Sequence, residues 1–184
     1  DKGNISLLEI RKKIHEVEGI DRIRLGSIEP TTVTEQFVDE ISGMDKFCPH
    51  FHISLQSGCD ETLKRMNRKY NTQDYRKSVE LLRSRIPDVA ITTDVMVGFP
   101  GETDEEFEIT YRYLDEISFA KMHIFKYSRR KGTPAAVMKN QVDPKVKEER
   151  SKRLIELSDR KAYEFNKRFV GRIMPVLFEK ELKD

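Results

Sequence analysis

Short apolar runs alternate with longer amphipathic segments along this 184-residue chain. Across residues 4–18, Leu7, Ile10, Ile14 and Val17 recur on one helical face, and Gly19 ends the run. Residues 22–28 alternate, with Ile23 and Leu25 on one side, which predicts a strand. Thr34 then caps a short helix carrying Phe37, Val38 and Ile41, stopped at Gly43. Phe51, Ile53 and Leu55 alternate in a second strand closed by Gln56-Ser57-Gly58. Leu63 and Met66 mark a helical turn or two, and Thr72 opens a helix through Val79 and Leu82 that ends before Pro87.

Residues 89–97 are almost continuously apolar apart from Thr92, Thr93 and Asp94, the pattern of a strand covered on both faces. Gly98-Phe99-Pro100-Gly101 breaks it, and Thr103 with Glu106 forms a capping box for a helix that turns Phe107, Tyr111 and Leu114 inward. A fourth strand covers residues 122–127. Asp143 and Pro144 start a long charged helix with Leu154, Leu157, Phe165 and Phe169 as its apolar stripe. Its charged run, residues 145–161, reads as an exposed face with i,i+4 pairs. Residues 173–178 predict a last strand.

Strands separated by helices imply βαβ units and a parallel sheet, an α/β fold that this pattern alone does not divide into barrel or doubly wound types. With a helix first and an unfollowed strand last, the expectation is a piece of a larger protein.

Composition narrows the classes. The 34 basic and 32 acidic residues leave a net charge of +2, which excludes a simple polybasic nucleic-acid binder but not a local basic patch. No apolar run reaches the roughly 18–20 residues of a membrane span, so no membrane partner is expected. Two Cys without a framework pattern fit a reducing, cytoplasmic setting.

In parallel α/β folds, ligands bind at the carboxyl ends of the strands. Four polar groups fall there: Ser27-Ile28-Glu29-Pro30, Gln56-Ser57-Gly58, residues 94–102 and residues 127–133. Each alone reads equally as an ordinary βα turn; together they suit a small-molecule site. Asp94 lies inside an apolar strand, where an unpaired carboxylate is costly. Either it pairs with a cation, or it faces the rim and accepts from a ligand such as ribose hydroxyls. Ser128-Arg129-Arg130-Lys131-Gly132-Thr133 suits a phosphate or RNA backbone, or is a solvated loop. Cys48, His50, His52 and Cys59 do not have the spacing of a structural zinc site.

The blocks IRLGSIEP (23–30), HISLQSGCDETLKRMNRKY (52–70), ITTDVMVGFPGETDEEF (91–107) and FKYSRRKGTPAA (125–136) resemble the radical S-adenosylmethionine methylthiotransferases. IRLGSIEP, HIFKYSRRKGTPAAVM and QVDPKVKEERSKRLIELS point to the branch acting on N6-threonylcarbamoyladenosine 37 of tRNA. Sister branches act on isopentenyladenosine in tRNA and on ribosomal protein S12. A different class of reading is a non-catalytic α/β module that binds a nucleotide or RNA.

The resemblance implies the C-terminal part of an incomplete radical-SAM (TIM-like) barrel over residues 1–170, and the start of a small RNA-binding β-barrel, TRAM-like, over residues 171–184. It implies S-adenosylmethionine held by Gln56 and Arg68 at the methionine carboxylate, Glu29 near its amino group or ribose, Asp94 on the ribose hydroxyls, and Met96 and Phe99 near the adenine. Tyr127, Arg130 and Thr133 would face the tRNA anticodon stem-loop. The implied reaction places a methylthio group on C2 of the modified adenosine, through a 5′-deoxyadenosyl radical. It needs an electron donor and two 4Fe–4S clusters. The ligands of the first form a C-x3-C-x2-C loop that neither Cys here matches, so they are expected upstream of Asp1. No catalytic residue and no metal ligand is expected in this chain, which alone should be inactive.

Overall fold

The computed structural model of the protein describes residues 7–177. Four parallel strands pair in the order β1-β2-β3-β4: β1 (Ser27–Ile28), β2 (His50–Ile53), β3 (Ala90–Val97) and β4 (Lys121–Lys126). Between them run α2 (Glu35–Ser42), α3 (Asp60–Arg65), α4 (Thr72–Arg85) and α5 (Asp104–Ile117). The helix α1 (Leu7–His15) precedes the sheet, and α6 (Pro134–Val137) and α7 (Pro144–Lys167) follow it. Residues 4–6 of the first expected helix lie outside the described residues.

The helix starts are where the capping chemistry places them. Thr34 accepts from Phe37 N at 3.2 Å, and Gly43 is the C-cap of α2. Thr103 and Glu106 form the expected capping box on α5, and the Asp143 carboxylate accepts from Lys145 N at 2.7 Å as α7 begins. At α4 the cap is Asn71, boxed with Asp74, one residue before Thr72.

Three expectations are corrected. The strand expected over residues 22–28 shrinks to Ser27–Ile28, and Ile23 meets Phe47 only through an isolated bridge. Without a run of paired neighbours, alternation alone does not hold residues 22–26 in the ladder. The last strand expected over residues 173–178 is absent over 173–177: these have no regular structure, and Ile173, Val176 and Leu177 are exposed. Phe178 lies outside the described residues. Finally, β3 is not covered alike on both faces. Ile91, Thr93, Val95 and Val97 are buried, whereas Asp94 and Met96 on the opposite face are half-buried.

The helix-covered face holds the core. Phe51, Ile53, Leu55, Val79, Leu82, Phe107, Leu114, Leu154 and Leu157 join the alternate β3 positions there. Each fully buried large side chain contributes about 1.5–3 kcal/mol over leaving it exposed. Phe165 and Phe169, expected on the same stripe, are half-buried and stack on each other at 5.2 Å. At the outer edge, Ser158 on α7 hydrogen-bonds both the N–H (3.0 Å) and the carbonyl (3.1 Å) of Met122, so a helix side chain covers the edge of β4.

The charged run on α7 also departs from its expectation. Its cations pair with carboxylates on and just before α5 rather than chiefly within their own helix. Arg150 meets Glu102 and Asp104, each at 2.6 Å, Arg153 meets Glu108 at 2.5 Å, and Lys161 meets Asp115 at 2.6 Å. Among the described residues, the one ion pair within the run's own helix is Lys161 with Glu164 at 3.5 Å. The Arg150 and Glu102 side chains are 6% and 1% exposed, so this pair is an interior feature. Burial pushes the Glu102 carboxyl up, while the Gly98 N–H and Arg150 pull it down.

Removing one partner of a buried pair strands the other's charge, which costs about 3–5 kcal/mol. Arg150→Met is therefore expected to lower the urea unfolding midpoint by that amount of stability, and the double variant with Glu102→Gln to recover part of it. Arg160→Ala, at an exposed pair, is expected to leave the midpoint nearly unchanged.

Candidate cofactor-binding rim

The end of β2 is shaped by one hydroxyl. Thr93 Oγ1 donates to Ile53 O at 2.7 Å and accepts from Leu55 N at 3.0 Å, so a β3 side chain takes the place of a ladder bond. Past that point Gln56 rejoins β3: its N–H donates to Asp94 O at 2.9 Å, and its carbonyl accepts from Met96 N at 2.9 Å. Gln56 does so at φ 72°, the left-handed region that a non-glycine residue occupies at a cost of roughly 1–3 kcal/mol. The two backbone bonds hold it there.

Ser57 and Gly58 fasten the turn to α5. The buried Ser57 hydroxyl is 3.2 Å from Thr110 Oγ1 and accepts from Cys59 N at 3.2 Å. A Cβ on Gly58 would come within 3.0 Å of Thr110 Cα and Tyr113 Cβ, so the backbones meet too closely for any other residue without a shift.

Tyr70 ties the segment carrying Arg68 to the same turn, its hydroxyl reaching the carbonyls of Ser54 (2.8 Å) and Leu55 (3.1 Å). Burial raises the Tyr70 pKa; Arg68 draws it down and Glu29 pushes it up, so both charges act on this one hydroxyl. Arg68 is half-buried, and its Nε is a buried donor with no hydrogen-bond partner among the described residues. Such a donor is costly unless some group accepts from it. Glu29 is exposed directly after β1.

After β3 the GFPGET turn is held from two sides. Gly98 N donates to Glu102 Oε2 at 2.7 Å, and Glu102 is fixed by Arg150 of α7. Arg65 of α3 forks onto Glu106, with Nη1 to Oε1 at 2.9 Å and Nη2 paired to Oε2. Gly98 has φ +70°, and a Cβ there would lie 2.3 Å from Lys147 Cγ. That lysine donates to Tyr127 O at 3.1 Å and sits 5.1 Å over the Tyr127 ring.

The expected site residues fall into two sets. Met96, Phe99, Tyr127, Arg130 and Thr133, with Phe125, line one rim cavity of about 350 Å³. Phe99 and Tyr127 meet edge-on at 5.4 Å, and the Tyr127 hydroxyl is buried without a partner among the described residues. Gln56, Arg68, Glu29 and Asp94 gather around the ends of β1, β2 and β3 instead. Asp94 lies on the face of the sheet opposite the core, its side chain 29% exposed, and its Oδ2 lies 3.3 Å from His52 Nε2. Below it, Arg24, His50, His52, Thr92, Lys121 and His123 line a second cavity of about 610 Å³. Sequence reasoning weighed His50 and His52 only as metal ligands. The signal for their actual setting was the shared strand face, which becomes readable once β2 is registered on β3.

A parallel strand–helix sheet with a polar rim at its carboxyl ends is a layout that ligand-binding α/β folds share. The family model of the radical SAM superfamily matches residues 3–114, and the chain belongs to that superfamily. Among individual relatives, it is 44% identical over 168 residues to the threonylcarbamoyladenosine tRNA methylthiotransferase MtaB of Bacillus subtilis (strain 168), covering 91% of this chain and 37% of that protein. It is 41% identical over 175 residues to the tRNA-2-methylthio-N(6)-dimethylallyladenosine synthase of Alkaliphilus oremlandii, covering 95% and 37%. The chain thus spans little more than a third of the length of these relatives. The coproporphyrinogen III oxidase HemN of Escherichia coli shares the fold, with TM-score 0.63 and 16% identity over 76% of this chain and 32% of that one.

The superfamily implies S-adenosylmethionine and a 4Fe–4S cluster. The first fits the residues present: Arg68 Nε is an unused buried donor for a carboxylate, and Asp94 is an inward acceptor for hydroxyls. The second does not. Cys48 and Cys59 are the two cysteines of the sequence, and among the described residues no group of three His, Cys, Asp or Glu side chains is placed to hold a metal. No helix among the described residues is long and apolar enough to cross a membrane.

Thr93→Val keeps the shape of the side chain and removes the hydroxyl. It is expected to cost about 1–3 kcal/mol of unfolding free energy, because the buried Leu55 N–H loses its acceptor. Hydrogen exchange should speed up first at Leu55 and Gln56, which makes the local origin of the loss visible.

Proposed function

We propose that this chain is the cofactor-orienting part of a tRNA methylthiotransferase, acting on C2 of an N6-modified adenosine by radical S-adenosylmethionine chemistry. The observation that carries the reading is the meeting of two facts. Relatives with over 90% of this chain aligned at 41–44% identity are named as tRNA methylthio enzymes. This chain also builds a rim whose unpaired groups match the cofactor's ends.

When bound, S-adenosylmethionine supplies the radical chemistry together with a cluster whose thiolate ligands this chain does not contain. The chain's own residues bind and orient. Arg68 offers a guanidinium fork to the methionine carboxylate, with Gln56 beside it and Glu29 for the amino group or ribose. Asp94 accepts from the ribose hydroxyls, and Met96 and Phe99 pack on the adenine. Tyr127, Arg130 and Thr133 hold the nucleotide substrate at the outer rim. Held in place on rigid elements, the cofactor meets its substrate without a search for orientation.

The threonylcarbamoyladenosine branch is the preferred substrate assignment, supported by the blocks at residues 23–30 and 123–138. Identity alone, 44% against 41%, does not rank the two tRNA branches. Mass spectrometry of tRNA nucleosides from a deletion strain separates them. Loss of the 2-methylthio threonylcarbamoyl nucleoside supports this branch, loss of the 2-methylthio isopentenyl nucleoside moves the assignment to the sister branch, and no change in either overturns the tRNA reading. At the residue level, Arg68→Ala in the intact, cluster-loaded protein is expected to weaken S-adenosylmethionine binding about 10- to 100-fold by calorimetry, the equivalent of one lost charge-assisted hydrogen bond.

A further inference from the structure

The concave face of the sheet carries a line of polar side chains that ends on Asp94. Arg24 Nε donates to His50 Nδ1 at 3.0 Å. Arg24 Nη2 also lies 3.0 Å from His50 Nε2, but a neutral imidazole has a single acceptor nitrogen. Burial, Arg24 and then His52 all lower the His50 pKa and favour that neutral form. With Nδ1 as acceptor, the His50 proton sits on Nε2, 3.3 Å from Thr92 Oγ1. The Thr92 hydroxyl accepts there and is left to donate to His52 Nδ1 at 3.0 Å. His52 then carries its proton on Nε2. That nitrogen is buried, has no hydrogen-bond partner among the described residues, and lies 3.3 Å from Asp94 Oδ2, off the line of a hydrogen bond.

An arginine can only donate, so with Nδ1 of His50 as its acceptor and one proton on each imidazole the direction of every step follows from the first. The register supplies the spacing: His52 pairs with Thr92, and Asp94 follows two residues on along the same face. The other charged or titratable groups on this face are Lys121 and His123, the latter with its ring 5.8 Å from that of His52.

We propose that Arg24, His50 and Thr92 fix the tautomer of His52, and that His52 is a positioning residue whose Nε2–H steers the Asp94 carboxylate toward the ribose diol of the cofactor. This rests on the reading of Asp94 as the ribose-binding carboxylate. An N–H rather than a lone pair 3.3 Å from Oδ2 attracts that oxygen electrostatically, which biases the carboxylate's rotation and the direction in which its other oxygen is presented.

The test uses the intact, cluster-loaded protein and two probes, S-adenosylhomocysteine and its 2′,3′-dideoxy analogue, with affinities read by calorimetry. His52→Leu is expected to weaken S-adenosylhomocysteine about tenfold and the dideoxy analogue less than about twofold, and His52→Gln, which keeps an N–H donor, to restore most of the difference. Equal weakening of both probes, or of neither, overturns the inference. Asp94→Asn separates this from the underlying reading. If it leaves the ratio of the two affinities unchanged, the ribose assignment fails; if it changes the ratio and His52→Leu does not, only the positioning role fails. Nitrogen-15 spectra of the imidazoles in the unsubstituted protein decide the matter even where a variant does not fold. A protonated Nε2 and bare Nδ1 on His52 are expected, and the opposite tautomer overturns the proposal.

Discussion

Thr93 donates to the carbonyl of Ile53 and accepts from the amide of Leu55, and so pins β2 to β3 at the point where the regular ladder stops. Period-2 alternation makes that register all or nothing: a slip of one residue would turn Asp94 and Met96 into the core and Thr93 and Val95 out of it. Because β2 is locked there, Gln56 can leave the sheet at φ 72° and still recover two backbone hydrogen bonds from β3. The rim residues on three strand ends thereby share one frame. Their mutual placement depends on backbone register far more than on side-chain contacts among themselves.

The turn after β3 needs a second constraint, since a glycine at φ +70° adds no stiffness of its own. Two ion pairs supply it from opposite sides. Arg150 reaches Glu102 from α7, and Arg65 reaches Glu106 from α3. The Arg150 pair is buried, so by itself it contributes little net stability; its worth is that neither partner can leave without stranding the other. Desolvation thus converts a weak stabiliser into a strict positional lock. It also ties α7 to the rim, although that helix contributes no expected site residue.

Much of this was legible in the sequence. Caps at Thr34, Thr103 and Asp143 rest on local chemistry within one turn, and all three fall where expected. Alternation on β2 and the polar strand ends likewise needed no distant partner. What failed needed one. The expected strand over residues 22–28 alternates correctly but finds a paired neighbour only at Ser27 and Ile28. The α7 run has both signs at helical spacing, yet Arg150 and Arg153 turn to Glu102 and Glu108, carboxylates nearly fifty residues away that no helical periodicity could nominate. His50 and His52 drew attention as metal-binding types, while their partner Thr92 lies on another strand, forty residues from His52.

The two faces of β3 divide the work of the sheet. On the helix side the hydroxyl of Thr93 is spent on backbone, where an unpaired polar group would be expensive. On the concave side Thr92, one residue earlier, has its hydroxyl between two imidazoles and passes direction rather than strength. A core hydrogen bond needs only to be satisfied, but a relay must have each donor and acceptor role decided, and a threonine hydroxyl decides nothing alone because it rotates. The decision enters at Arg24, the one member of the line that cannot accept, and leaves at Asp94, the one that as a carboxylate cannot donate. With Arg24 donating to His50 Nδ1 and one proton on each imidazole, the remaining donor and acceptor roles follow in order. Adjacent threonines with nearly identical chemistry therefore serve opposite ends, one fixing where the strand lies and the other fixing which way its carboxylate is addressed.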